Sequence, residues 1–322
     1  NGIGDFGPAA YNFVDWLQSA GQRLWQWLPT TPVGPGDSPY QSPSAFAGSP
    51  LMVALEPLVE RGWLKEIVLP AEGFAAARVD FRSVIPWREA QLRAAFGGFD
   101  SRGSAEHKAG FQKWCVQEAA WLDEFALFMA LFNASGYKPW WEWAPALRLR
   151  ENPAMQTVRE QNVAEMAYHR FVQWCWAEQC AALKAYANER GISLIGDIPI
   201  YVADNSADVW SRPDLYFLDA QGQPTVVAGV PPDALGPEGQ RWGNPLYRWS
   251  QMAHDNFAWW TQRVAHVLKQ ADIVRIDHFR GFAGYWEIPA SSPTAKEGQW
   301  VTGPGRLLFD AIEKKLGKPV VT

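Results

Sequence analysis

One pattern constrains this chain more than any other: an amphipathic helical stretch, a glycine or another small residue, then a short apolar run. It occurs four times. The first copy is 8–20, with Phe13, Leu17 and Ala20 on one face, then Gly21, then QRLWQWLP over 22–29. The second is a long helix over 164–190, Gly191, and ISLIGDIPI over 192–200. The third is 255–271, with Phe257, Trp260, Val264 and Leu268 in helical register, followed by DIVRIDHF over 272–279. The fourth is 305–316, Gly317, and KPVVT over 318–322. Glycine directly after a helix suits the left-handed residue that ends it.

The apolar runs are nearly continuous, as expected of strands covered by helices on one face and a barrel interior on the other. Serial helix–strand units imply parallel strands joined by right-handed crossovers. A doubly wound open sheet fits the same alternation, but its phosphate-binding glycine turn is absent. The expected class is therefore α/β, a (β/α)8 barrel of which four strands can be named.

Residues 1–56 and 164–322 are the barrel parts, and 57–163 interrupts them as a mostly helical inserted subdomain flanking the cleft. WLDEFALFMALF over 121–132 has a strong helical pattern, and Trp140, Trp141 and Trp143 follow it in a turn. A second long stretch, 217–249, is expected to be an active-site loop.

Composition removes several classes. Net charge is −5 with no dense Lys/Arg run, which argues against nucleic acid or an anionic membrane as partner. No apolar stretch approaches the roughly 20 residues of a membrane-spanning helix. No secretory signal is present, and the expected compartment is the cytoplasm. Cys115, Cys175 and Cys180 form no CxxC pair, and buried reduced thiols are expected rather than a disulfide or zinc site. Nineteen Trp, 17 Phe and 9 Tyr are unusual. Most belong in a core, yet flat aromatic faces also suit the C–H faces of pyranose rings.

In a barrel of this kind the chemistry lies at the C-terminal ends of the strands. Asp197 ends the second strand, and Arg275, Asp277 and His278 end the third. Charges inside apolar strands are costly and need a reason. Arg275 and Asp277 flank Ile276, so strand alternation puts both on one face, into the barrel. A guanidinium beside a carboxylate favours the ionised form, which a nucleophile requires. Asp277 is thus the candidate nucleophile; for Asp197 a buried structural ion pair with Arg275 is an equal reading. His278 can hydrogen-bond a substrate hydroxyl or sit in the core. Tyr40, in the Ser/Pro/Gly-rich loop 36–50, can stack on a sugar or anchor its loop. GQRWG over 239–243 places Trp242 at the tip of a Gly/Pro-rich loop, where an exposed Trp is costly unless something binds it.

The runs GIGDFG (2–7), SPYQSPSAFAGSP (38–50), IGDIPIYVADNSADVW (195–210), VAGVPPDALGPEGQRWGNPLY (227–247) and RIDHFRG (275–281) carry a resemblance. Together they resemble the amylomaltases, the 4-α-glucanotransferases related to the α-amylases, over nearly the whole chain. The resemblance implies a retaining, two-step transfer between maltooligosaccharides. Asp277 would form the covalent glucosyl-enzyme, Arg275 would hold it ionised, and His278 would contact the glucose at the bond being broken. Asp197 would organise the Arg275–Asp277 cluster, Gln240 and Trp242 would arch over the cleft, and Tyr40 would belong to the sugar-binding wall. No metal or organic cofactor is implied.

Set against that pattern, the family's first strand and its Glu-Asp-Leu-Gly general acid are missing, the latter expected directly after Thr322. The chain is therefore expected to be a fragment, inactive alone. Two rivals use the same features. An α-amylase-type hydrolase shares the nucleophile strand but not SPYQSPSAFAG or VPPDALGPEGQRWGNPLY. A non-catalytic glucan-binding scaffold would not need the complete RIDHFRG strand.

Overall fold

The computed structural model describes residues 2–234, 236–319 and 321. Helix α1 (Pro8–Ser19) leads into β1 (Leu24–Gln26). A largely helical stretch follows: α2 (Glu56–Glu60), α3 (Phe81–Arg102), α4 (Ala105–Ala134), α5 (Pro145–Arg148) and α6 (Asn152–Gln161). Helix α7 (Val163–Glu189) enters β2 (Ser193–Pro199), and the short α8 (Ala207–Ser211) comes next. Strands β3 (Val226–Val230) and β4 (Gln240–Pro245) precede α9 (Trp249–His254), α10 (Ala258–Gln270) and β5 (Ile273–Asp277). The order closes with β6 (Gly284–Pro289), β7 (Gln299–Thr302) and α11 (Arg306–Leu316).

Strands β1, β2 and β5 form a parallel sheet in that order, with Gln26 opposite Ile195 and Ile195 opposite Ile273. Val321 continues the series by bridging Val274 in parallel. The rest of the strand expected over 318–322 includes Val320 and Thr322, which lie outside the described residues. Each strand is preceded by its helix, as in one side of a (β/α) barrel. Gly21 and Gly191 between them take the positive φ that the sequence pattern implied, +70° and +71°; Gly317 also has positive φ, +78°, but its ψ of −152° lies outside the left-handed helical region.

Helix α10 departs from its expected span. It begins at Ala258, not 255, because Asn256 and Phe257 both adopt left-handed backbone, φ 57° and 54°. Asp255 then caps it, accepting the Ala258 N–H at 3.0 Å. Phe257 is buried outside the helix rather than in its register. At the other end Lys184 Nζ donates to the carbonyls of Leu268 and Ala271, at 2.9 and 2.8 Å. A lysine from α7 thus satisfies acceptors that a helix end leaves open.

The larger correction concerns 217–249. The sequence reading made it a loop; it contains β3 and β4, half of a four-stranded antiparallel sheet ordered β4-β3-β6-β7. Gly229 permits the close crossing, since a Cβ there would lie 2.2 Å from the Gln240 carbonyl oxygen. This sheet stands beside the C-terminal ends of the parallel strands, where Asn244 Nδ2 donates to the Val202 carbonyl at 2.8 Å.

Most of the aromatic surplus is packing. Trp63, Trp140, Trp210 and Trp260 are among the largest fully buried side chains. The apolar run 121–132 lies in α4 and packs on α7, burying Leu122, Phe125, Leu127 and Phe128. Fully burying each such side chain is worth roughly 1.5–3 kcal/mol, which explains why this face tolerates almost no polar residue. Cys175 and Cys180 are buried and free; Cys115 is free but only half-buried.

Candidate functional site

Register brings the expected residues together. Asp197 on β2 pairs with Arg275 on β5, and Pro199 pairs with Asp277. Arg275 Nη1 donates to both carboxylate oxygens of Asp197 at 2.8 Å. Its other terminal nitrogen, Nη2, donates to Asp277 Oδ1 at 2.7 Å. One planar fork therefore holds two carboxylates in fixed relation, a task lysine could not perform.

The two aspartates differ in access. The Asp197 side chain is 1% exposed, whereas Asp277 is 43% exposed and Arg275 34%. Burial pushes the Asp197 carboxyl above its ordinary value, against Tyr40 and Arg275, which favour the ionised form. For Arg275 the hydrogen bond to Asp277 comes first in raising it above its ordinary value. Asp197 faces the cluster and Asp277 faces the open end of the strand. Only the second is open to solvent.

Tyr40 lies in a short 3-10 turn, Pro39–Gln41, in the loop after β1. Its hydroxyl donates to Asp197 Oδ2 at 3.0 Å. Burial, then this bond to a carboxylate, pushes the phenol up to about 12. The hydroxyl is thus committed to Asp197, while the ring of Tyr40 remains half-buried.

His278 follows β5 in left-handed backbone, φ 54° and ψ 43°. That turn swings its ring away from the strand line and against Trp242, with centroids 4.9 Å apart and planes at 87°. An edge-to-face pair of this kind is favourable beyond the area it covers. Burial lowers the His278 imidazole, with Asp277 opposing, so the ring is neutral near pH 7.

Trp242 is not at an exposed loop tip. It lies within β4, half-buried, and its Nε1 donates to Gln240 Oε1 at 3.0 Å. Gln240 and Trp242 are two apart on the strand and share a face, and Gln240 is exposed. Together with Tyr201, 6.4 Å from Trp242 between centroids, they wall the side of the site nearest His278.

Sequence reasoning missed the residues that brace this arrangement. Asp208 Oδ2 accepts the Ala45 N–H at 2.7 Å, and Ala207 N–H donates to the Pro43 carbonyl at 2.8 Å. The start of α8 thereby fastens the loop carrying Tyr40. Burial pushes the Asp208 carboxyl up to about 6. The only signal in the sequence was an aspartate beside the apolar Val209 and Trp210, too little to name its partner.

Chemically, an open ionisable carboxylate at a strand end, backed by a guanidinium, suits attack on an electrophilic carbon. Asp197 cannot supply the matching proton, since its oxygens are occupied by Arg275 and Tyr40. Among the described residues no group of three or more His, Cys, Asp or Glu is placed to hold a metal ion. No described helix is long and apolar enough to cross a membrane.

Residues 1–322 match a glycoside hydrolase 77 family model whose description is 4-alpha-glucanotransferase. The chain is 48% identical over 317 residues to a 4-alpha-glucanotransferase of Thermus thermophilus, covering 98% of this chain and 63% of that protein. It is 44% identical over 320 residues to a 4-alpha-glucanotransferase of Streptococcus pneumoniae, again over 98% and 63% of the two chains. Its structure is similar to an amylomaltase from Streptococcus agalactiae solved in complex with acarbose. The TM-score is 0.93 at 38% identity, over 99% of this chain and 65% of that one. The chain thus spans about 63% of the length of the curated relatives it matches.

Proposed function

The chain belongs to the 4-alpha-glucanotransferase family, glycoside hydrolase 77, and from that premise we propose that it carries the nucleophile half of a site transferring α-1,4-glucan segments between maltooligosaccharides. Asp277 attacks the anomeric carbon of the donor as the glycosidic C–O bond breaks and the leaving glucan oxygen takes a proton from a second carboxylic acid; the hydroxyl of an acceptor glucan then attacks the glycosyl-enzyme, giving its proton back to that carboxylate and releasing Asp277. Arg275 aims Asp277 through its 2.7 Å hydrogen bond, and Asp197, held by Tyr40, fixes Arg275. His278, neutral, hydrogen-bonds a hydroxyl of the glucose at the scissile bond. Trp242 and Gln240 cover the cleft and exclude water, so that a sugar and not water resolves the intermediate. The single observation that supports this reading is the Arg275 fork, with one carboxylate buried and the other open.

Retaining chemistry needs a second carboxylate roughly 5 Å from the nucleophile to protonate the leaving oxygen. The chain spans about 63% of the length of its relatives, and we propose that this acid comes from a part of the protein outside these residues. The activity is accordingly proposed for a protein in which these residues are joined to a segment bearing that acid. Residues 57–163 serve as a helical subdomain flanking the cleft, and the compartment is the cytoplasm.

Incubating the longer protein, in which these residues are joined to the acid-bearing segment, with maltotriose tests the proposal. Transfer yields glucose and longer oligomers at a constant number of reducing ends. A rising number of reducing ends would mean hydrolysis, and an unchanged maltotriose peak would mean neither.

A further inference from the structure

Helices α4, α7 and α10 do not close on one another completely. Between them lies a cavity of about 540 Å³, within the roughly 300–1,000 Å³ of small-molecule sites. None of the candidate site residues discussed above lines it. Its α4 wall carries Trp114 and Trp121, whose rings stand nearly perpendicular, at 84° and 6.4 Å between centroids. Two perpendicular rings make a corner with apolar faces.

The polar side of the cavity is unusual for a packing gap. Glu118 and His266 are each only 12% exposed. Glu118 accepts hydrogen bonds from Lys269 Nζ at 2.5 Å and Trp121 Nε1 at 2.8 Å. The other lining carboxylate, Glu178, is bridged to Arg61 at 2.7 Å. Both carboxylates are thus matched by a cation, so the cavity presents hydrogen-bonding groups with little net charge. That combination does not suit an ion, and it does not suit a hydrocarbon, which would leave the paired charges desolvated. It suits an uncharged ligand with apolar faces and a hydroxylated rim. Gln117, exposed at the mouth, adds an amide.

We propose that this cavity is a carbohydrate-binding site that holds a short stretch of α-glucan, one sugar face on the Trp114–Trp121 corner and its hydroxyls on Glu118, Lys269 and Gln117. The identity of the sugar rests on the glucan reading above. The site also has a route to the cluster on β2 and β5. Phe46 and Gln270 line both this cavity and the small one beside Tyr40 and Asp197. An occupant therefore presses on the back of the loop that carries Tyr40.

The test is calorimetric titration of the Asp277→Asn protein with maltotetraose, paired with crystals soaked in the same sugar. Two sites per chain are expected, one of them at Trp114. Adding Trp114→Ala should weaken that second site at least about tenfold, and Gln117→Ala, an exposed change that cannot disturb packing, several-fold. In the protein with Asp277 intact, Trp114→Ala should raise KM for long glucans several-fold and leave maltotriose turnover unchanged. One sugar site per chain, with identical binding in the Trp114 and Gln117 variants, overturns the proposal. Sugar at Trp114 with none at Asp277 and no transfer would instead overturn the catalytic reading and leave this one standing.

Discussion

Tyr40 and Asp197 are 157 positions apart in the chain, yet the Tyr40 hydroxyl donates to Asp197 Oδ2 at 3.0 Å. The bond closes a line of contacts from the loop after β1, through the buried carboxylate, to Arg275 and the open carboxylate of Asp277. Tyr40→Phe keeps the ring and removes the donor. A buried acceptor that loses a partner costs about 1–3 kcal/mol, so the variant should melt several degrees lower. If Tyr40 positions Asp197, kcat for transfer should fall more than KM changes. A variant with parental stability and kinetics would show that the bond is dispensable.

Asp277→Asn preserves shape and removes the nucleophile. Transfer from maltotriose should drop by more than about 10³-fold while the circular dichroism spectrum and melting temperature stay close to the parent's. Residual transfer within tenfold of the parent would place the nucleophile elsewhere.

Trp242→Ala takes away the ring that packs against His278 at 4.9 Å. Burial is what lowers the His278 imidazole, so opening its surroundings should raise its titration midpoint toward the ordinary histidine value. Proton NMR of that ring across pH 4–8 reads the shift directly. Water admitted to the site should also shift the products of maltotriose toward hydrolysis. An unmoved midpoint with an unchanged product ratio would assign Trp242 to packing alone.

Asp208 gives a pH dependence with a defined sign. Burial pushes its folded-state value up to about 6, above the roughly 3.9 of an unfolded chain. Folding therefore favours the protonated form. The contribution is fully present below about pH 4 and is lost as pH rises through 6. Asp208→Asn keeps an acceptor for the Ala45 N–H and removes the titration. The variant should match the parent's stability near pH 4 and exceed it near pH 7, by up to about 3 kcal/mol. Urea melts at the two pH values check this; equal differences at both would rule Asp208 out.

Local pattern was enough for the parallel half of the fold. A 3.6-residue apolar period, a small residue at the junction (Gly21 and Gly191 at positive φ, Ala271 in extended backbone) and an apolar run identify α1–β1, α7–β2 and α10–β5, because each signal is local in sequence. Strand alternation likewise placed Arg275 and Asp277 on one face. The start of α10 escaped that reading, since Phe257, which follows Asn256, takes left-handed backbone that a bulky aromatic side chain does not favour.

What only the tertiary structure decided are the relations between distant segments. The pairing of β3 with β6 crosses some sixty positions, and β4 (QRWGNP) shows no alternation to announce a strand. Trp242 looked exposed because its neighbours are glycines and prolines; it is half-buried because that sheet carries it to His278. The sequence by itself determined which residues could do chemistry on β5. Whether Asp277 stayed open while Asp197 was sealed behind Arg275 and Tyr40 depended on packing across β1, β2 and α8, and burial of that kind is a property of the assembled fold with no local period to betray it.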